Sequence, residues 1–200
     1  KNSSFFLTPL CCVFAGNVLM VKLLPFSHND IENLISWVPS SEFLSQWAGS
    51  VFCWPLDRLQ LEKHILKAKQ QHPNHLLFNI MDESAQETIG YIELARIDHT
   101  NKNATIERVL IGSTQMRNRG IGKQVVEAIL TIGFQNLNLH RIDLHVFDFN
   151  KQAITCYEGA GFKREGELRD FRRFGDKYVT LCIMSILSEE WHTRQRLVQI

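Results

Sequence analysis

Residues Gln115–Gln124 read QMRNRGIGKQ, two glycines and three cations set between an apolar run and a long helical pattern. Upstream, Ala104–Ile111 (ATIERVLI) has the composition of a strand. Downstream, Val125, Val126, Ile129, Leu130, Phe134 and Leu137 recur every three or four residues, the stripe of a helix running from about Gly120 to Leu137. A glycine turn between a strand and a helix suits an anion. Glycine lets the backbone come close to a ligand, and the first N–H groups and the dipole of the helix point at it. Two phosphate templates fail on counting. A G-x-x-x-x-G-K-[ST] loop ending at Gly122 and Lys123 meets Arg117 and Gln124 where it needs glycine and a hydroxyl residue. A dinucleotide fingerprint meets Val125 where its third small residue belongs, and the preceding strands form hairpins instead of a βαβ unit. What remains is R-x-x-G-x-G, Arg117 to Gly122, a site for a pyrophosphate.

Outward from this turn the patterns alternate in type. A strand is expected near 18–24, and polar capping residues at Ser27 precede a helix carrying Ile31, Leu34 and Ile35. The stretch 37–56, WVPSSEFLSQWAGSVFCWPL, reads as an irregular, aromatic-rich wall or lid, and Asp57 with Gln60 resembles a capping pair that opens a helix to about Lys69. Three strands near 76–81, 88–98 and 104–111, separated by polar turns, predict an antiparallel meander. Beyond the glycine turn and its helix, 141–147 alternates as a strand, and Asn150 can cap a short helix ending at Gly159–Gly161. Two closing strands, near 167–174 and 177–187, flank a Gly175-Asp176 hairpin turn.

Twenty-two Lys+Arg against 21 Asp+Glu leave a net charge of +1 over 200 residues, so no whole-chain field points to nucleic acid or to an anionic membrane. Five cysteines without a C-x-x-C pair argue against a disulfide framework and a zinc ribbon, and predict a reduced, cytoplasmic protein. His72 and His75 lie three apart but lack a third ligand, so no metal is expected. The opening segment has the rough outline of a secretory signal. Pro9 interrupts its apolar run, and the run is too short for a membrane span. Residues 1–17 are therefore expected to be an extension without chemistry, 18–188 one domain, and 189–200 a tail.

The R-x-x-G-x-G run resembles the Q/R-x-x-G-x-G/A signature of the GNAT superfamily of N-acetyltransferases. Asn150–Phe162, NKQAITCYEGAGF, is similar to that family's N-x-x-A-x-x-x-Y-E-x-x-G-F segment. The closing GELRDFRRFGDKYVTLCIMSIL looks like the hairpin of the branch holding ribosomal-protein N-terminal, polyamine and aminoglycoside acetyltransferases. The resemblance covers roughly 18–188 and is sharpest from 104 to 187. It implies an α/β fold of α+β type, with a mixed, mostly antiparallel central sheet of six or seven strands flanked by helices.

It also implies acetyl-CoA as co-substrate and a primary amine as acceptor, either a small molecule or a peptide N-terminus, and it suggests a homodimer. The alternative from another class is a non-catalytic acyl-CoA-binding or regulatory module. On the resemblance, the pyrophosphate lies on the backbone of Arg119, Gly120, Ile121, Gly122 and Lys123, with Arg117, Arg119 or Lys123 adding charge. The pantetheine arm runs along Val109, Leu110 and Ile111, and Asn150 and Ala153 lie beside the donor.

Acetyl transfer needs a neutral amine, a stabilised oxyanion and a proton for the leaving thiolate. Tyr157, seven residues after Asn150, can share its cleft, and a phenol is matched to protonating a thiolate. Glu107 is the candidate base, acting directly or through water, or else an exposed strand carboxylate. His145 is read as a neighbour of the acceptor or as a packing histidine. Asp30, Glu42 and Asp148 are read as acids that could meet a cationic amine. Cys156 is expected to point away from the cleft.

Overall fold

The computed structural model describes residues 13–14, 17–18, 21–71, 74–112 and 120–198. A small hairpin, β1 (Val13–Phe14) and β2 (Asn17–Val18), precedes a seven-stranded sheet. The sheet strands are β3 (Val21–Pro25), β4 (Leu76–Asp82), β5 (Glu87–Asp98), β6 (Asn103–Ile111), β7 (Arg141–Phe147), β8 (Lys163–Phe174) and β9 (Lys177–Leu187), in the spatial order β3-β4-β5-β6-β7-β9-β8. Every neighbouring pair is antiparallel except β6 with β7. That parallel junction is forced by the chain between the two strands, which has to cross over the sheet and does so through α4 (Ile121–Thr131).

Helices cover both faces. On one side α1 (Ile31–Ser36), α2 (Ser41–Ala48) and α3 (Arg58–Gln70) bury Leu34, Leu44, Leu61 and Ile65 against Tyr91 and Leu110. On the other, α4 buries Val125, Val126, Ile129 and Leu130 with Ile92, Leu94, Ile106 and Ile142 of the sheet, and α5 (Lys151–Gly159) adds Ile154. The alternation along β5 sends Tyr91 and Glu93 to the first core and Ile92 and Leu94 to the second, as the two-residue period of a strand requires.

Two expectations differ from the structure. The stretch 37–56 is not irregular throughout, since α2 lies inside it, its first turn capped by the Ser40 hydroxyl accepting from the Phe43 N–H. The segment expected as a tail is α6 (Ser188–Val198), whose Trp191 is fully buried and donates to Glu127 of α4 at 3.0 Å. Asp57 does cap α3, but the Gln60 side chain turns back to Cys53 and Pro55.

Candidate active site

A cleft of about 830 Å³ opens where β6 and β7 part. The two strands are paired from Asn103–Arg141 to Ile106–Leu144, and no further pair continues the ladder among the described residues. The cause is visible on the other edge of β6. Tyr91 pairs with Leu110 and Glu93 with Glu107, so Arg108 and Val109 together face the single residue Ile92, a β-bulge in which Arg108 takes the left-handed φ of 51°. An extra residue bends a strand and raises its twist, which here swings the end of β6 away from β7.

Left-handed backbone costs a non-glycine residue about 1–2 kcal/mol. Arg108 offsets that cost through its side chain, which is buried and donates to both oxygens of Glu93 at 2.5 Å. Glu93 is fully buried and also accepts from Tyr91 at 2.7 Å, with His64 of α3 at 3.0 Å and His75 at 2.6 Å from its oxygens. Burial alone would raise the carboxyl pKa. The hydrogen bonds from His64, His75 and Arg108, with the guanidinium charge, hold it well below the usual carboxylate range. His64, His75 and Glu93 offer atoms within 4.8 Å of one another, and with Arg108 and Tyr91 on the same carboxylate the group reads as a charge-paired core network.

A second bulge, in β5, gives Arg96 a φ of 52°. Its guanidinium reaches Glu107 at 2.8 Å, while Arg108 reaches the other oxygen at 2.6 Å. Glu107 is thereby fixed at the cleft wall between two arginines, each delivered by a bulge. Its side chain is half-buried, where the alternative reading had an exposed strand carboxylate.

Of the residues singled out in the sequence, Glu107, Val109, Leu110, Ile111, Gly120, Gly122, Lys123, Asn150, Ala153 and Tyr157 line this one cleft. Arg117 and Arg119 lie outside the described residues. The Ile121 side chain is buried in the core, so only its backbone is available to a ligand. Gly120 stands at the N-cap of α4 with φ 75°, and a Cβ there would meet nothing within 4 Å among the described residues. A Cβ on Gly122 would come within 3.1 Å of the Cys156 sulfur. Cys156 therefore lines the cleft and does not point away, and burial pushes its thiol pKa up.

Asn150 caps α5, accepting from the Ala153 N–H at 3.2 Å. About two turns later Tyr157 reaches the same cleft, its ring 5.9 Å from that of Phe162. Burial, with the neighbouring Cys156, pushes the phenol's pKa up, so it is held protonated at neutral pH. His145 lines the cleft from an exposed position on β7. Asp30, Glu42 and Asp148 are not part of the lining, and Asp30 instead closes a capping box with Ser27.

The sequence profile of the acetyltransferase (GNAT) family matches residues 40–162. The chain belongs to the GNAT acetyltransferase family. Spermidine N(1)-acetyltransferase of Vibrio cholerae is 27% identical over 126 residues, 63% of this chain and 72% of the relative. The spermidine N(1)-acetyltransferase of Escherichia coli is 25% identical over 172 residues, 86% of this chain and 88% of the relative. An aminoglycoside N(6')-acetyltransferase of Klebsiella pneumoniae is 24% identical over 152 residues, 73% of this chain and 75% of the relative. Among solved structures, spermidine N-acetyltransferase from Vibrio cholerae in complex with CoA and spermine superposes with a TM-score of 0.75 at 22% identity, over 86% of this chain and 98% of that one. The fold is the GNAT fold, and this GNAT chain is an acetyl-CoA-dependent N-acetyltransferase.

The residues missed in the sequence are Arg96, Arg108 and Arg172 of the lining, with Glu93 and His64 behind them, while Phe43 and Trp47 of the aromatic stretch 37–56 do line the cleft as a wall. One signal was present. Glu93 interrupts the apolar run GYIELA, and a charge inside a buried strand demands partners.

Proposed function

We propose that this GNAT chain transfers acetyl from acetyl-CoA to a primary amine by direct attack in a ternary complex, with Tyr157 as the acid and Glu107 as the base. One observation carries the assignment: a half-buried, protonated phenol and an arginine-braced carboxylate line the same cleft between parted strands. The donor's pyrophosphate rests on the N–H groups that open α4 at Ile121, Gly122 and Lys123, where the helix dipole favours an anion, with the Lys123 side chain adding charge. Its pantetheine arm lies along the open edge of β6 at Val109–Ile111, bonded as another strand would be.

The neutral amine attacks the thioester carbon, and a backbone N–H at Val109 or Leu110 stabilises the oxyanion. As the C–S bond breaks, the thiolate takes the Tyr157 proton, and the proton lost by the amine passes to Glu107, directly or through water. Self-association belongs to the same reading, by analogy with the dodecameric spermidine N-acetyltransferase of Vibrio cholerae.

The test is thiol release from acetyl-CoA, followed with a thiol reagent across polyamines, aminoglycosides, amino acids and short peptides. Amine-dependent release with an acetylated product is expected. Tight coenzyme A binding with no release for any amine would leave a binding module.

A further inference from the structure

A site for a polycation needs carboxylate charge that arginines do not already balance. Among the described residues lining the cleft, Glu107 is the only carboxylate, and it is ion-paired on one oxygen with Arg96 and on the other with Arg108. The cations of the lining are Arg96, Arg108, Lys123 and Arg172. Arg96 and Arg108 are neutralised by Glu107 and by Glu93 behind it, and Lys123 sits in the first turn of α4, at the phosphate end.

That leaves Arg172 of β8 as a half-buried cation with no carboxylate partner among the described residues. Its guanidinium lies against Gly49, just beyond α2. A Cβ there would come within 2.5 Å of Nη1 and 3.1 Å of Cζ and Nη2. The missing side chain at Gly49 gives the guanidinium its seat at the cleft wall. The rings of Phe43 and Trp47 from α2, Phe147 from β7 and Phe171 from β8 line the same cleft.

We propose that the acceptor is a primary amine that also bears a carboxylate on an apolar or aromatic body, with Arg172 pairing with that carboxylate and polyamines disfavoured. The proposal rests on the acetyl-transfer reading above and specifies its substrate class. A guanidinium presents a planar fork that matches a carboxylate in two parallel hydrogen bonds, so it orients the acceptor as well as attracting it. The same unpaired charge repels a polycation, which discriminates against the substrate of the polyamine-acetylating relatives. Two sources carry this chemistry: a free amino acid, or a peptide whose N-terminal residue is followed by Asp or Glu.

The experiment compares kcat/KM for matched acceptors, at a pH above both amine pKa values. Phenylalanine is set against phenylalaninamide, the amidated peptide Ala-Asp-Phe against Ala-Asn-Phe, and spermidine stands as the polycation. Wild type should favour the carboxylate member of one pair by about 10-fold or more, the worth of a charge-assisted hydrogen bond. The pair that shows the preference identifies the source. Arg172→Gln should bring the two members of that pair together, Arg172→Lys should restore part of the gap, and the KM for acetyl-CoA should hold in both. The thermal shift produced by acetyl-CoA confirms that each variant is folded.

Spermidine outrunning every carboxylate-bearing acceptor would overturn the proposal while leaving acetyl transfer intact. A preference that survives in Arg172→Gln would overturn it too. No thiol release with any amine would remove the acetyl-transfer reading and the acceptor class together.

Discussion

Glu93→Gln is the sharpest probe of the architecture behind the site, because it removes one charge and almost no volume. Glu93 takes donors on both oxygens, two from Arg108 at 2.5 Å, one from Tyr91 at 2.7 Å, and the rings of His64 and His75 at 3.0 and 2.6 Å. An amide offers one acceptor oxygen and turns two N–H donors toward groups that are themselves donors. Arg108, whose side chain is only 9% exposed, would keep Glu107 as its sole carboxylate.

Removing one partner of a buried pair costs about 3–5 kcal/mol. In a domain of this size each kcal/mol moves Tm by about 2–4 °C, so calorimetry near neutral pH should show a fall of roughly 6–20 °C. The double variant Glu93→Met with Arg108→Met leaves no orphaned charge and should lose less than Glu93→Gln.

The pH dependence has a definite sign. A carboxyl held well below its usual pKa contributes stability that is present above its unfolded value, about 4.3, and is lost as pH falls through the folded value. The gap between wild type and Glu93→Gln should therefore be full at neutral pH and close on acidification. A Tm loss below about 3 °C, or a gap that does not change with pH, would refute the account of Glu93 as a charge-paired hub.

Tyr157→Phe should leave acetyl-CoA affinity in place while kcat falls by roughly 10² or more, within the range for general acid catalysis. With an acyl donor whose thiol has a much lower pKa the variant and wild type should converge, and an unchanged kcat with acetyl-CoA would make Tyr157 a packing residue. Gly120→Val and Gly122→Val should abolish the thermal stabilisation by coenzyme A. The first forces a β-branched residue onto φ 75° and the second places a side chain against the Cys156 sulfur, so an intact shift in both would remove the phosphate cradle.

Most strands, the α4 stripe and the cap at Asn150 were legible because each rests on local periodicity or on one turn's chemistry. The cleft's catalytic candidates were legible through motif spacing, which placed Tyr157 and the two glycines without any knowledge of the sheet. What escaped was what depends on register. Arg96 and Arg108 look like ordinary strand cations until the bulges turn both toward Glu107, and nothing in the runs LARID or IERVL marks an extra residue. His64 and His75 come from a helix and the entry to a strand, and only tertiary packing brings them to Glu93. α2 was hidden by prolines and aromatics on either side of a short, half-buried helix. Trp191 docks from the otherwise polar run SEEWHTRQR, and nothing in that run marks a buried face.

The divergence of β6 from β7 gives this seven-stranded sheet four rims where an ordinary open sheet has two. The outer pair, β3 and β8, face solvent; the inner pair face each other across a wedge that begins at Ile106 and Leu144. Strand rims normally invite intermolecular zippering, and proteins blunt them with charge or cover. Here the vulnerable backbone is folded inward, where only a slender, extended molecule can enter. On the proposed binding mode a donor lying in that wedge would act as a removable eighth strand, extending the short β6–β7 seam between the meander β3–β6 and the closing unit β7–β9.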